Sequence, residues 1–236
     1  RGAFNNDWCG LRSELRLQRV VEGLEELLGR LPALLGADER REVLRHVPGL
    51  DRGDDDILER RREVDERLVA VEHAAVRGAH VRVDATVASI LTSREHPQAL
   101  RGVLAEMVAA VALLAASLKF TGSLIVQLQG TGPVRLLVVE CTSALLVRAT
   151  VQWDDARVAA LPEHATLADL AGDPAQARMV MTLDPKGAGP IYQGIVALEA
   201  GAVATLFEHY LATSEQLASR MVLARDGEAC AGLLVQ

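Results

Sequence analysis

The run from Gln98 to Leu118, QALRGVLAEMVAAVALLAASL, constrains this chain more than any other segment. It contains no proline and is dominated by Ala, Leu, Met and Val, so it is predicted to be one long helix. Between its polar ends, Gln98 and Ser117, only Arg101 and Glu106 interrupt its apolar surface, and a helix that is apolar nearly all round is expected to be buried. The rest of the fold therefore has to wrap this helix. The uninterrupted part of the run is shorter than the ~20 residues a bilayer span requires, so a core helix is expected and no membrane partner.

Beyond this helix the chain has the pattern of strands. Ser123–Gln129 places Leu124, Val126 and Leu128 on one side and Ser123, Gln127 and Gln129 on the other, which predicts a half-buried strand. Further strands are predicted over Val81–Thr86, Val134–Cys141, Leu145–Trp153, Met179–Leu183, Ile191–Leu198, Met221–Arg225 and Gly232–Val235. A short helix is expected over Thr86–Arg94 and a longer one over Val203–Leu217. Asp184-Pro185 and Asp226-Gly227 have the composition of hairpin turns. Hairpin connections make the sheet largely antiparallel, and the fold class expected is α+β, an antiparallel sheet packed on the buried Ala/Leu helix.

Composition changes near Val69–His73, and two units are expected: a charged extension over 1–70 and a domain over 71–236. In the extension, Leu17, Val20, Val21, Leu24, Leu27 and Leu28 recur at helical spacing, with Gly29 and Pro32 as a stop. A second helix is predicted from Asp38 to about His46. A third is expected after the acidic cluster Asp54-Asp55-Asp56, with Leu58, Val64, Leu68 and Val71 along one face. The mixed charges of Glu59–Arg67 read as the solvated side of that helix.

Catalytic chemistry finds little support. The formal net charge of -7 argues against a nucleic-acid partner, which would demand clustered Lys and Arg. Gly130-Thr131-Gly132-Pro133 and Gly187-Ala188-Gly189-Pro190 are flanked by strands and lack the helix N-terminus of a phosphate site, so both are expected to be hairpin turns. Cys9, Cys141 and Cys230 form no metal-binding spacing and suit a reducing cytoplasm. Cys141 follows a strand and neighbours Glu140, which would raise its pKa, and Cys230 lies by Glu228 near a turn; neither is expected to sense or attack anything. The histidines, His46, His73, His80, His96, His164 and His209, make no ligand pattern and are expected at the surface. Glu208-His209 is the one close acid–imidazole pair, and adjacent helical positions diverge by about 100°, so no shared proton is expected. No catalytic residue, no metal ligand and no enzyme activity are predicted, and the substrate-binding residues are left unassigned.

The segment Lys119–Cys141, KFTGSLIVQLQGTGPVRLLVVEC, resembles the heat shock protein 33 family of redox-regulated bacterial holdase chaperones. The likeness continues in VRGAHVRVDAT (Val76–Thr86), IYQGIVALE (Ile191–Glu199), SEQL (Ser214–Leu217) and AGLLVQ (Ala231–Gln236). The resemblance implies a cytoplasmic, ATP-independent holdase whose partners are unfolded client proteins, with a homodimer possible and 71–236 as the substrate-binding and dimerising domain. Family members carry zinc on a C-x-C and a C-x-x-C pair, patterns this sequence does not contain, so no cofactor is expected here and the redox switch is expected to be missing. The alternative expectation is a binding or assembly module whose N-terminal helices cover the client surface or contact a partner.

Overall fold

The computed structural model describes residues 65–70, 77–185, 189–198, 201–226 and 229–236 of the 236. Strands β1 (Asp65–Ala70) and β2 (Arg77–Arg82) lead into helices α1 (Asp84–Ser93) and α2 (Gln98–Ser117). Then come β3 (Gly122–Gln129), β4 (Val134–Thr142) and β5 (Val147–Trp153), followed by the short helices α3 (Asp155–Ala159) and α4 (Leu167–Ala171). Strands β6 (Arg178–Pro185) and β7 (Tyr192–Ala197), helix α5 (Val203–Thr213) and strands β8 (Arg220–Asp226) and β9 (Ala229–Val235) complete the described chain.

The α+β class holds, and among the described residues every strand pairing is antiparallel. The strands divide into two sheets, ordered β1-β2-β9-β8 and β5-β4-β3-β6-β7. Helix α2 packs against β2, β8 and β9 of the first and against β3, β4 and β5 of the second. That double coverage is why its sequence can be apolar all round: every residue from Val103 to Ala115 except Glu106 is buried. Fully burying a side chain such as Leu104, Met107 or Leu113 is worth roughly 1.5–3 kcal/mol. By length and composition α2 could cross a membrane, but its apolar surface is already spent on the two sheets.

Glu106, the acid within α2, faces β8, where its Oε1 lies 3.5 Å from Nε of Arg225. Burial raises its pKa, and the Arg225 charge opposes the rise. Space for the guanidinium comes from Gly102, where a Cβ would stand 2.7 Å from Arg225 Cζ.

Several sequence expectations are corrected. Residues 65–70, assigned with Leu68 to a third N-terminal helix and in part to its charged face, form strand β1, in register with β2 from Asp65↔Arg82 to Ala70↔Arg77. A partner strand outweighs the local helical spacing there. The first two N-terminal helices lie outside the described residues. Val83 to Thr86 leave the predicted strand, because Asp84 turns back to accept the N–H of Cys230 and α1 begins. Asp184 and Pro185 are the last residues of β6, paired with Ser123 and Gly122. Leu145 belongs to the β4–β5 turn with φ of +57°, not to β5.

Helices α3 and α4 were not anticipated, although both carry readable caps. The Asp154 carboxylate accepts the N–H of Arg157. Thr166 and Asp169 form a reciprocal capping box.

Candidate functional site: the outer face of the five-stranded sheet

Alternation along β3 sends Leu124, Val126 and Leu128 into the core and leaves Ser123, Ile125, Gln127 and Gln129 on the other face. The same period in β4 leaves Leu136, Val138 and Glu140 outward, and in β6 Val180 and Thr182. Register then decides which of these are neighbours. Thr150, Val138, Gln127, Val180 and Ile195 form one ladder row across the sheet. Ile125 sits one step along, between Glu140 and Thr182, and Leu136 one step the other way, beside Gln129.

The result is a band in which aliphatic side chains alternate with Gln and Thr on the face turned away from α2. Ile125, Leu136 and Val138 are half-buried, Val180 is buried, and Ile195 is 62% exposed. A shallow groove lined by Gln129, Arg135, Leu136, Ala175, Arg178 and Ile195 runs off one end of it. Charged side chains stand within the same face: Glu140, beside Ile125, pairs with Arg148 at 2.5 Å, and Arg178 donates to Gln129 Oε1 at 2.9 Å. Such a surface offers dispersion contacts and uncharged hydrogen-bonding groups with no covalent chemistry, the properties needed to hold many different apolar segments.

Among the described residues the large hydrophobic side chains left most open to solvent are Leu146, Ile191, Tyr192 and Ile195. Three of the four lie on or next to β7, the edge of this sheet, and Leu146 stands on the β4–β5 turn beside the opposite edge. Sequence reading predicted these strands and had no means of telling which of their residues would face water. That depends on the strand order, which hydrophobicity does not record.

The groups weighed as reactive are quiet. Cys141 lies within β4 and not after it, pointing into the core, while Glu140 points outward to Arg148. Cys230 is buried in β9, and burial, then the Glu106 and Asp84 charges, push its thiol up to about 12. Cys9 lies outside the described residues.

His96 corrects the expectation of surface histidines: it is 5% exposed, tilted against the Trp153 ring at 5.6 Å, with Arg94 over the same ring at 4.0 Å. His164 and His209 are exposed. Glu208 turns from His209 to accept the N–H of Met221 at 2.8 Å. Among the described residues no group of His, Cys, Asp or Glu could hold a metal ion.

The Gly130-Thr131-Gly132 segment joins the antiparallel β3 and β4, as expected of a hairpin. Its amides are occupied: Thr131 and Gly132 both donate to the Ala171 carbonyl, at 3.0 and 2.8 Å. Arg157 in turn donates to the Thr131 and Gly132 carbonyls, both at 3.0 Å. An anion would find no free N–H on Thr131 or Gly132. The corresponding connection with Gly187 and Ala188 joins the antiparallel β6 and β7, and those two residues lie outside the described ones.

Residues 67–236 match the family model described as Hsp33 protein. The chain is similar to proteins named 33 kDa chaperonin from Chromobacterium violaceum, 45% identical over 69% of this chain and 53% of the relative, and from Methylobacillus flagellatus, 43% identical over 70% and 54%. It thus spans about half the length of the curated relatives it matches. Among solved structures, that of a 33 kDa chaperonin from Thermotoga maritima superposes with a TM-score of 0.57 at 24% identity, covering 68% of this chain and 56% of the other, a likeness of fold.

Proposed function

The chain belongs to the Hsp33 protein family, a family of chaperones and not of enzymes, and from that premise we propose that it is an ATP-independent holdase that binds unfolded proteins and keeps them from aggregating. The observation that carries this reading is the outer face of the five-stranded sheet, where Ile125, Leu136, Val138, Val180 and Ile195 form an aliphatic band, with Glu140 and Arg178 at its flanks, beside the edge strand β7. Its mixture of aliphatic, Gln and Thr side chains favours apolar segments without selecting one sequence. We assign the role to residues 71–236 and to a reducing cytoplasm, which the three widely spaced cysteines suit.

Among the described residues no group of side chains could hold the zinc that family members carry, and the proposed mechanism assigns binding to the sheet face alone, with no oxidant required. A client meets the sheet face, buries apolar area against it at roughly 25 cal/mol per Å², and is released by dilution or transfer.

Light scattering of a thermally unfolding client, without nucleotide and with or without peroxide, tests the proposal. Equal suppression in both conditions is expected. No suppression in either overturns the holdase reading, and suppression only with peroxide overturns its constitutive character.

A further inference from the structure

An open sheet has two edges, each a row of unpaired N–H and C=O groups to which another chain can add, and folded proteins guard them with charges, bulges or covering groups. Three edges here are guarded. The sequence of β1 opens with Asp65, Glu66 and Arg67. Strand β5 carries Arg148, whose side chain is 82% exposed, and its pairing with β4 is broken by an irregularity at Val134/Leu136. Strand β8 has its outward Met221 N–H taken by the Glu208 carboxylate, with Arg220 alongside.

Strand β7 has none of these devices. From Ile191 to Leu198 it carries no charge and no proline, and its pairing with β6 is regular throughout. Among the described residues no strand lies on its far side. The direction of its free groups follows from one bond: the Leu198 N–H donates to Ala177 O at 3.1 Å, toward β6. Backbone groups alternate along an antiparallel strand. Those of Tyr192, Gly194 and Val196 therefore also turn to β6, and those of Gln193, Ile195 and Ala197 turn outward. These three residues are all exposed, and their side chains lie on the same face as Val180 and Thr182.

We propose that the free edge of β7 captures clients by strand addition: an extended, uncharged segment of an unfolded protein pairs with Gln193, Ile195 and Ala197 and becomes a sixth strand of the sheet. The inference rests on the holdase reading and adds how the client is held. The uncharged edge selects an uncharged occupant. Main-chain pairing is blind to sequence, which suits a binder of many clients, while alternate side chains of the added strand fall beside Ile195 and extend the apolar band.

The test uses the full chain and a short fluorescent peptide alternating Val and Thr, alongside the same peptide N-methylated at alternate residues. Methylation leaves the side chains and removes the donors that strand addition needs. We expect it to weaken binding about tenfold or more. Gln193→Pro, which deletes one outward N–H and no main-chain bond to β6, should weaken the unmethylated peptide to a similar extent, whereas Gln193→Ala, which removes only the side-chain bond from Gln193 Nε2 to Thr182 Oγ1, should not. Equal affinity for both peptides overturns strand addition while leaving the holdase reading to its own scattering assay, in which loss of suppression by the unsubstituted chain would sink that reading instead. A dimer in sedimentation that Gln193→Pro converts to a monomer, with peptide affinity unchanged or higher, assigns the edge to a second copy and also overturns the proposal.

Discussion

Gly132→Ala tests the packing that aims the β3–β4 hairpin. A Cβ at Gly132 would stand 2.5 Å from the Ala171 carbonyl carbon and from the Gly172 nitrogen, both of them backbone atoms that cannot rotate away. Ordinary contact needs about 3.5 Å, so the hairpin and the end of α4 must part by about 1 Å. The Gly132 and Thr131 bonds to Ala171, now 2.8 and 3.0 Å, would then pass beyond hydrogen-bonding range. Two such bonds are worth about 1 kcal/mol each, and forcing an extra methyl into a packed site costs about 1–3 kcal/mol more, giving about 3–5 kcal/mol in all. For a domain of this size the melting temperature should fall by about 6–20 °C. Differential scanning calorimetry reads the shift, with Gly201→Ala as control, because a Cβ there meets only Ala168 Cβ at 4.0 Å. A fall of less than about 2 °C for Gly132→Ala, or equal falls for both variants, would show that the contact with Ala171 and Gly172 does not hold the hairpin. An anion-binding loop would instead gain stability from added phosphate, and none is expected.

Two carboxylates make opposite contributions to the pH dependence of stability. Hydrogen bonds from the Thr166 side chain and backbone hold Asp169 below 3.8, so its contribution is complete above that value and is lost as pH falls toward its depressed folded pKa; Asp169→Asn should flatten the acid limb of a denaturation series. Glu106 is raised above 4.5 by burial, so its contribution is complete below 4.5 and is lost as pH rises through the raised value; Glu106→Gln should remove that trend, with the slope compared above 4.5. Cys141 and Cys230 should resist iodoacetamide at neutral pH and react only in denaturant, mapped by mass spectrometry, and rapid native labelling of either would contradict their burial. Arg94→Ala should cost about 0.5–1 kcal/mol and alter Trp153 emission, read by fluorescence-monitored unfolding.

The elements with strong periodic signals are legible without any coordinates. Helix α2 announces its own burial, since no surface position can accommodate Val103–Ala115, and the alternation of Leu124, Val126 and Leu128 names the inward face of β3. Strand β1 is not legible, because Leu68 is at helical spacing with Val64 and only the register with β2 reveals the extended backbone. The burial of His96 is hidden for the same reason: its cover, Trp153 and Arg94, comes from β5 and from the turn after α1, brought together by packing. The candidate surface is half visible. Its residues can be named as strand residues, yet Ile125, Val180 and Ile195 become neighbours only when β6 inserts between β3 and β7, a long-range ordering that no local pattern encodes.

Hydrogen–deuterium exchange of the full chain, with and without an unfolding client, reads the β7 edge itself. Client-dependent protection of the outward amides of Gln193, Ile195 and Ala197 is expected, with the already buried α2 unchanged. Protection confined to other segments, or none at client concentrations that suppress aggregation, would contradict strand addition at this edge.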